Sequence, residues 1–581
     1  MSLQFIFGNS GSGKSHYLYQ QIVEESIRHP EKNYLVLVPE QFTMQTQKDL
    51  CMAHPRGGIM NIDVLSFGRL AHRVFEETGK ERQPILDDEG KNLVLRKIAG
   101  NYEDELTVLK GNLKKQGYIS EVKSVISEFT QYGIDFEQLD SFMEGLNPES
   151  YLYYKLKDIR KVYEGFEDYL RDKYITKEEL LDVLSQTVPE AKMLKDSVIA
   201  MDGFTGFTPV QNRLIGELLK VCDKIMLTVE IDRREDPFVY KHPYQLFALS
   251  KQMVTSLTEV AQEVRVEIDE PVWLCKNPSY RFKENPEMAF LEEELFRYSR
   301  RKYSGEKMRS ISLHEVHTPQ EEAQYVAEEI RRLVREEGYR YREIAVIASD
   351  LSTYADALEK ACDRYEIPVF MDHKKSILLN SFVEYLRSLL VMVEQNYTYE
   401  SVFRYLRTSL CGFTRDEVDR LENYCLALDL KGFKKWDQVW VRKTPMTTKE
   451  ELEELNHLRM RFVEKLTPLH TVLKKRKKTV KEITLAVYEY LVQEKIQEQL
   501  AELEQKFQED GELALAKEYA QIYRIVLELF DKFVELLGEE EIPLKEYCEL
   551  LDAGLEEAKV GVIPPSLDQV VIGDMERTRL K

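Results

Sequence analysis

Eight consecutive residues near the start of the chain have the types and spacing of a phosphate-binding loop. The stretch reads Gly8-Asn9-Ser10-Gly11-Ser12-Gly13-Lys14-Ser15 and fits G-x-x-x-x-G-K-[ST] at every required position. Its glycines permit positive φ angles, so successive backbone N–H groups can turn inward onto phosphate oxygens. Lys14 supplies a charge for the β- and γ-phosphates, and the Ser15 hydroxyl can ligate Mg²⁺. The motif therefore predicts a site for ATP and Mg²⁺.

The elements on either side of this loop are those that the motif needs. Leu3–Phe7 is a short apolar run that predicts a buried strand, and His16–Ile27 predicts the helix that leaves the loop. A helix that begins there adds its partial positive charge to the phosphate site. The alternative is a glycine–serine turn that matches the motif by accident, and it would explain neither the strand nor the helix.

Asp202 is the candidate for the acid that associates with Mg²⁺, because it ends the predicted strand Val198–Asp202. A motor also needs a residue that orients the attacking water and a positive charge on the γ-phosphate. The next residue, Gly203, has no side chain that could position water or accept its proton. The alternative for Asp202 is a turn former at the strand end. Because only seven residues precede the loop, we also expect no glutamine-containing adenine motif, and hence a site that binds nucleotide better than it hydrolyses it.

Composition limits the classes of protein that the chain can form. A length of 581 residues suggests about four domains. The chain is 43% apolar and 31% charged, which is typical of a globular protein with an ample core. A net charge of −21 argues against a nonspecific polyanion binder, although it leaves room for a local basic channel.

Cysteine usage and hydropathy favour a cytoplasmic protein. The seven cysteines are scattered and never spaced as C-x-x-C, which predicts reduced thiols and gives no metal or cluster signature within these residues. No apolar run approaches the about 18 residues that cross a bilayer, so we expect no membrane partner. The first residues already form the predicted strand and loop, so we expect no signal peptide.

Strands alternate with helices in two separate parts of the chain, which predicts an α/β fold with parallel sheets. In the first part, Tyr34–Val38 and Ile62–Leu65 are predicted strands. The second part is predicted to open with a strand at Ile311–Val316 and to continue with another at Ile344–Ile347.

Each α/β part is interrupted by a long helical insertion, marked by apolar residues at helical spacing. The predicted division is 1–82 and 193–300 for the first α/β domain with the phosphate loop, 83–192 for its insertion, 308–380 and 561–581 for the second α/β domain, and 381–560 for its insertion. The chain stops at Lys581 after a strand and a charged turn, so we expect a truncated chain whose second sheet is incomplete.

This layout resembles the superfamily 1 helicases of the UvrD kind, in which each of two RecA-like P-loop domains carries a helical insertion. Val36–Thr43 falls where that family has motif Ia, and Val64–Leu70 resembles its T-x-H-S-F element on the single-strand path. Ile344–Ser349 resembles motif IV, with Ser349 at the place where the family usually offers an arginine to the nucleotide.

The chain is more closely similar to the B subunits of AddAB-type ATP-dependent helicase–nucleases. The segments that carry this similarity are Phe7–Ser15, Val38–Gln41, Met201–Pro209 and Pro564–Asp574. The resemblance implies a longer polypeptide that is truncated here before a C-terminal RecB-type nuclease domain with cysteines for a 4Fe-4S cluster. It also implies double-strand break repair by homologous recombination.

The resemblance further implies the partners. In the family an A subunit supplies the translocating motor, while the B subunit lies on the opposite strand at a DNA duplex end and is linked to recognition of the hotspot sequence Chi. Phe42 and Phe67 are candidates to stack on single-stranded DNA, with Ser66 as a backbone donor. Alternatively, both rings belong to the core. The basic run Lys474–Lys478 is a candidate phosphate patch, but a solvated turn between helices is the preferred interpretation.

Four functions follow from these patterns. The favoured one is a B subunit that binds ATP and DNA and is weak or inactive as a motor. A self-sufficient superfamily 1 helicase is the first alternative, and Gly203 and Ser349 count against it. A P-loop phosphotransferase would leave the second α/β part and both insertions unexplained. A scaffold that binds no nucleotide is the last alternative.

Overall fold

The computed structural model describes residues 1–79, 84–112, 116–171, 173–297, 299–305, 308–371, 375–444, 447–560, 568–575 and 578. The chain divides into two compact units. The first contains Met1–Asp87 and Glu121–Glu315, and the second contains Asp88–Ser120 and Val316–Lys581. Residues 561–567, which include part of the predicted second α/β domain and the start of the motif at Pro564, lie outside the described residues. The predicted domain ranges stay predictions.

The first unit is built on a parallel sheet. Its strands are β1 Ser2–Gly8, β2 Tyr34–Leu37, β3 Ile62–Leu65, β4 Ile85–Leu86, β5 Ile175–Thr176, β6 Val198–Met201, β7 Lys224–Glu230, β8 Glu267–Ile268 and β9 Val272–Trp273. Among the described residues, seven of these strands form one sheet in the order β3-β2-β6-β7-β1-β8, and β9 also pairs with β1. All of its pairings are parallel. Strands β4 and β5 form a separate parallel pair. The predicted α/β class with a parallel sheet is confirmed.

Both faces of this sheet are buried, which explains why its strands β2 and β6 are apolar without interruption. In β2, Leu35 and Leu37 join the hydrophobic cluster on one face, while Tyr34 and Val36 join the cluster on the other face. The same alternation runs through β6 and β7. Because side chains alternate across a strand, each strand contributes to two cores at once.

Helices α1 to α11 lie in the same stretch of sequence as strands β1 to β9. Of these helices, α4 belongs to the second unit. Their bounds are α1 Lys14–Arg28, α2 Thr43–Ala53, α3 Phe67–Thr78, α4 Asp88–Asn101, α5 Gln116–Tyr132, α6 Phe136–Glu144, α7 Tyr151–Leu170, α8 Leu180–Thr187, α9 Pro209–Leu219, α10 Ala248–Glu263 and α11 Pro286–Glu294. Short 3₁₀ turns occupy Glu40–Phe42, Val188–Glu190, Lys192–Leu194, Tyr280–Phe282 and, in the second unit, Tyr341–Glu343.

The second unit has a smaller parallel sheet and many helices. Its strands are β10 Ala345–Ala348, β11 Val369–Met371, β12 Lys375–Ser376, β13 Lys559–Val560 and β14 Val570–Asp574. Its further helices are α12 Pro319–Glu336, α13 Leu351–Arg364, α14 Ser381–Glu394, α15 Tyr399–Leu406, α16 Arg415–Leu428, α17 Phe433–Asp437, α18 Lys449–Leu473, α19 Val480–Gln493, α20 Ile496–Glu509, α21 Leu513–Leu537 and α22 Leu544–Glu557. The late strand β14 lies between β10 and β11 and pairs parallel with both.

One predicted strand is wrong. Residues Ile311–Val316 have strand-like alternation, but they adopt no regular secondary structure, and their side chains are mostly exposed. A strand needs a neighbouring ladder to satisfy its backbone groups, and sequence alternation does not supply one. Strand β10 is therefore the first strand of the second unit among the described residues.

Candidate nucleotide-binding site

The backbone of the phosphate loop has the shape that its glycines predict. Gly11 and Gly13 adopt φ angles of 70° and 92°, and Gly13 is the N-cap of α1. A side chain at Gly8 would place its Cβ 2.3 Å from the Ser12 hydroxyl oxygen. Gly8 is therefore required for space, whereas the backbone conformation requires glycine at Gly11 and Gly13.

The Lys14 ammonium group lies over the first part of the loop. Its Nζ donates to the carbonyl oxygens of Gly8 and Asn9, at 3.0 Å in each case. These bonds hold a positive charge at the loop that begins at the carboxyl end of β1. The arrangement suits an anion, because the helix dipole of α1 adds to the same local field.

The two residues predicted as Mg²⁺ ligands, Ser15 and Asp202, are in direct contact. The Ser15 hydroxyl donates to Asp202 Oδ1 at 3.0 Å, and Asp202 is only 1% exposed. Thr228 donates to the same oxygen at 2.6 Å, and Tyr19 donates to Oδ2 at 2.8 Å. Neighbouring parallel strands β6 and β7 place Asp202 beside Thr228 at the carboxyl end of the sheet, and helix α1 contributes Ser15 and Tyr19.

Gly203 follows this acid in a left-handed conformation, with a φ angle of 81°. Only glycine adopts that region without strain. The position therefore lacks a catalytic side chain, and its backbone also disfavours one.

A segment far along the chain covers the loop, and the sequence patterns did not reveal it. The backbone N–H of Arg281 donates to the Gly11 carbonyl at 3.0 Å. A Cβ on Gly11 would lie 2.6 Å from the Arg281 Cβ and 3.2 Å from the Ser279 hydroxyl. Arg281 thus brings a second basic side chain beside the loop. No local spacing signals it, because Arg281 is distant from the loop in the sequence.

The donor set of this site fits a Mg²⁺–nucleotide. Three buried polar atoms at the loop find no hydrogen-bond partner among the residues that the structure describes, namely Asn9 Oδ1, Ser12 Oγ and Ser279 Oγ. A glycine-rich backbone, a lysine charge and a serine–aspartate pair are the kinds of group that bind phosphates and their metal in P-loop proteins. The elements of the predicted ATP site are therefore assembled in one place.

The three residues proposed for DNA contact have different surroundings. Phe67 is 8% exposed and packs against Phe204 and Phe207, with ring centroids 5.4 and 6.2 Å away. Ser66 caps α3, since its hydroxyl accepts the Arg69 N–H at 3.3 Å. Phe42 is partly buried against the cluster on the other face of the sheet. Phe67 is thus a core residue, and its two partners, which are partly exposed, were not singled out as DNA contacts.

The basic run Lys474–Lys478 lies in the turn between α18 and α19, as the preferred interpretation predicts. Lys475 and Lys477 are within 3.6 and 3.5 Å of glutamate carboxylates. Elsewhere, all seven cysteines are free thiols. The described residues contain no cluster of three potential metal ligands and no helix long and apolar enough to span a membrane.

The parallel sheet and its loop define an α/β protein of the P-loop class. Residues 5–292 match the family model described as "ADDB, N-terminal", and residues 282–560 match the model of the UvrD-like helicase C-terminal domain. Three relatives are each named as the B subunit of an ATP-dependent helicase/deoxyribonuclease. They come from Lachnoclostridium phytofermentans, Clostridium novyi and Acetivibrio thermocellus, with identities of 42%, 34% and 33%.

Each of these alignments covers 100% of this chain and between 50% and 51% of the relative. The chain belongs to the family of AddB-type helicase/deoxyribonuclease B subunits, so the predicted family is confirmed. It spans about half the length of the curated relatives it matches.

Proposed function

We propose that this chain is the helicase-like part of a B subunit that binds ATP with Mg²⁺ and contacts single-stranded DNA, with little or no ATP hydrolysis of its own. One observation carries the nucleotide half of the proposal. The Ser15 hydroxyl and the buried Asp202 carboxylate lie 3.0 Å apart beside the phosphate loop, which is the pairing that a Mg²⁺–triphosphate needs.

Each residue of the site has a physical task in this proposal. The loop N–H groups surround the phosphates, and Lys14 exchanges its two carbonyl acceptors for phosphate oxygens. Ser15 and Asp202 hold the metal, while Thr228 and Tyr19 orient the Asp202 carboxylate. Arg281 is within reach to add a further positive charge. Gly203 offers no group that could take a proton from an attacking water, so hydrolysis is slow.

The DNA half of the proposal is supported by the aromatic rings at the carboxyl edge of the same sheet. Phe204 and Phe207 follow β6, contact each other at 5.1 Å and are partly exposed. Phe67 packs beneath them as a support. Partly exposed rings of this kind stack on unpaired bases without strong sequence preference. Phe42 and Ser66 remain further candidates at this edge.

The wider assembly is inferred from family membership. We infer two RecA-like domains with helical insertions, an A subunit as the partner motor, and recognition of the hotspot sequence by the B subunit. A nuclease domain with its 4Fe-4S cluster would belong to the part of the relatives that this chain does not align with. The relatives' name specifies one subunit of an enzyme, which supports a partner subunit.

Equilibrium binding of ATP·Mg²⁺ tests the nucleotide site. Lys14→Ala removes a charged group that donates a hydrogen bond to phosphate. Because a charge-assisted hydrogen bond contributes about 1.5–3 kcal/mol, we expect ATP·Mg²⁺ to bind about 10- to 150-fold more weakly. The matched control is Lys48→Ala, at an exposed lysine of α2. Equal affinity of wild type and Lys14→Ala would contradict the proposed site.

An active superfamily 1 helicase is the second candidate, because the Ser15–Asp202 pair of an active motor is intact. ATP turnover by wild type that single-stranded DNA stimulates, and that collapses in both Lys14→Ala and Asp202→Ala, would favour it. Turnover near background in all three proteins would support the first proposal.

A further inference from the structure

Helix α11, Pro286–Glu294, contacts the phosphate loop through its last turns. Asn9 donates from Nδ2 to both carboxylate oxygens of Glu292, at 3.1 and 3.2 Å, and to the Lys276 carbonyl at 3.3 Å. Asn9 is 7% exposed. Burial raises the pKa of Glu292, and the nearby Asp232 and Glu230 act in the same direction. Because this carboxylate is poorly solvated, the Asn9 amide is an important partner for it.

The other end of α11 holds the segment that leads into the second unit. Glu287 is 8% exposed, and its carboxylate accepts the backbone N–H of Arg309 at 2.8 and 3.0 Å and that of Ser310 at 2.7 Å. These hydrogen bonds lower the pKa of Glu287, so it is a carboxylate at neutral pH. The second unit resumes at Val316, a few residues further along.

The helix between these two contacts is well suited to act as a rigid rod. Asn285 caps it by accepting the Met288 N–H at 3.2 Å, and Pro286 starts it. Near its end, Arg234 donates to the Glu293 carbonyl at 2.8 Å. Nine residues of helix are about 13 Å long, so a shift at one end is carried to the other with little bending.

We propose that α11 couples the phosphate loop to the connection at Arg309–Ser310. Nucleotide binding is then thermodynamically linked to the hydrogen bonds that Glu287 accepts from this connection. The coupling rests on the proposed nucleotide binding. Phosphate draws Lys14 away from the Gly8 and Asn9 carbonyls, the backbone at Asn9 adjusts, and the Asn9 amide moves Glu292 with it. Coupling between two sites is reciprocal, so loosening the Glu287 contact changes nucleotide affinity as well.

Hydrogen-exchange mass spectrometry of the whole chain, with and without ATP·Mg²⁺, tests this coupling. We expect the exchange rate of peptides containing the Arg309 and Ser310 amides to change about 5- to 150-fold on nucleotide binding, the range of typical couplings. Glu292→Ala abolishes the change. Glu292→Gln, which keeps an acceptor for Asn9, restores it. Glu293→Ala is the matched control on the same helix, because that carboxylate pairs with the exposed Arg301.

Affinity for ATP·Mg²⁺ is measured in the same samples, and circular dichroism verifies that each variant is folded. If wild type binds ATP while the exchange of these amides stays constant, the coupling is refuted and the nucleotide site stands. The coupling is likewise refuted if Glu292→Ala and Glu293→Ala both respond like wild type. If wild type binds no ATP, the proposed function fails and the coupling fails with it.

Discussion

Replacing Asp202 separates the structural and metal-binding contributions of one carboxylate. The side chain is buried and accepts hydrogen bonds from three hydroxyl groups, those of Ser15, Tyr19 and Thr228. Asp202→Ala leaves all three hydroxyls without this acceptor. A buried group that loses its hydrogen bond costs about 1–3 kcal/mol, so the loss of three such bonds should lower the free energy of unfolding by at least about 3 kcal/mol.

Asp202→Asn is the sharper variant, because it keeps the shape of the side chain. Its amide oxygen can still accept from Ser15 and Thr228, and only the contact with Tyr19 must reverse its donor. We therefore expect a loss of about 1–2 kcal/mol in the free energy of unfolding. The negative charge is gone, however, so the Mg²⁺ dependence of ATP binding should weaken about tenfold or more, as a loss of about 1.4 kcal/mol would produce.

Urea unfolding and titration of Mg²⁺ at fixed ATP measure these two effects independently. Thr228→Val serves as the control, because it removes one hydrogen bond to Asp202 and leaves the charge. The interpretation of Asp202 as the metal-associated acid is refuted if Asp202→Asn binds ATP with the Mg²⁺ dependence of the wild type. The stability argument is refuted if Asp202→Ala unfolds at the same urea concentration as Asp202→Asn.

Three further predictions follow from the first unit. Gly203→Glu should not create ATPase activity, as measured by steady-state turnover. It should lower the free energy of unfolding, measured in urea, by about 1–2 kcal/mol, because a φ of 81° strains any residue with a side chain. Burial raises the pKa of Glu167 from 4.5 to about 7, and the nearby Glu179 acts in the same direction. The folded protein therefore binds this proton more tightly than the unfolded chain does. The free energy of unfolding should fall as the pH rises between these two pKa values. In Glu167→Gln, the melting temperature should decline less over the same pH range than in wild type. Phe204→Ala should weaken the binding of single-stranded oligonucleotides while the protein stays folded, whereas Phe67→Ala should mainly lower the free energy of unfolding, by about 3–5 kcal/mol. Fluorescence anisotropy at several salt concentrations measures the binding of both variants. Oligonucleotide binding that does not weaken with salt would refute the DNA contact.

Features encoded in consecutive residues were predictable from the sequence. The loop from Gly8 to Ser15 was one of them, because glycine conformations and the start of a helix are local properties. Strands β2 and β6 of the first sheet were predictable for a related reason. A strand buried on both faces is continuously apolar, and Leu35 and Val36 illustrate this by entering opposite cores. Asp202 could be predicted as a candidate site residue because it directly follows such a strand.

Features that depend on distant partners were decided only by the tertiary structure. Thr228, Arg281 and Glu292 reach the site from β7, from a 3₁₀ turn and from α11, and none of them stands at a recognisable spacing from the loop. The segment Ile311–Val316 has the alternation of a strand but adopts no regular structure. Strand pairing and burial are long-range events, so a pattern in one segment cannot specify the partner that stabilises it. The sequence of consecutive residues therefore predicted the phosphate loop, whereas the tertiary packing determined which distant residues surround it.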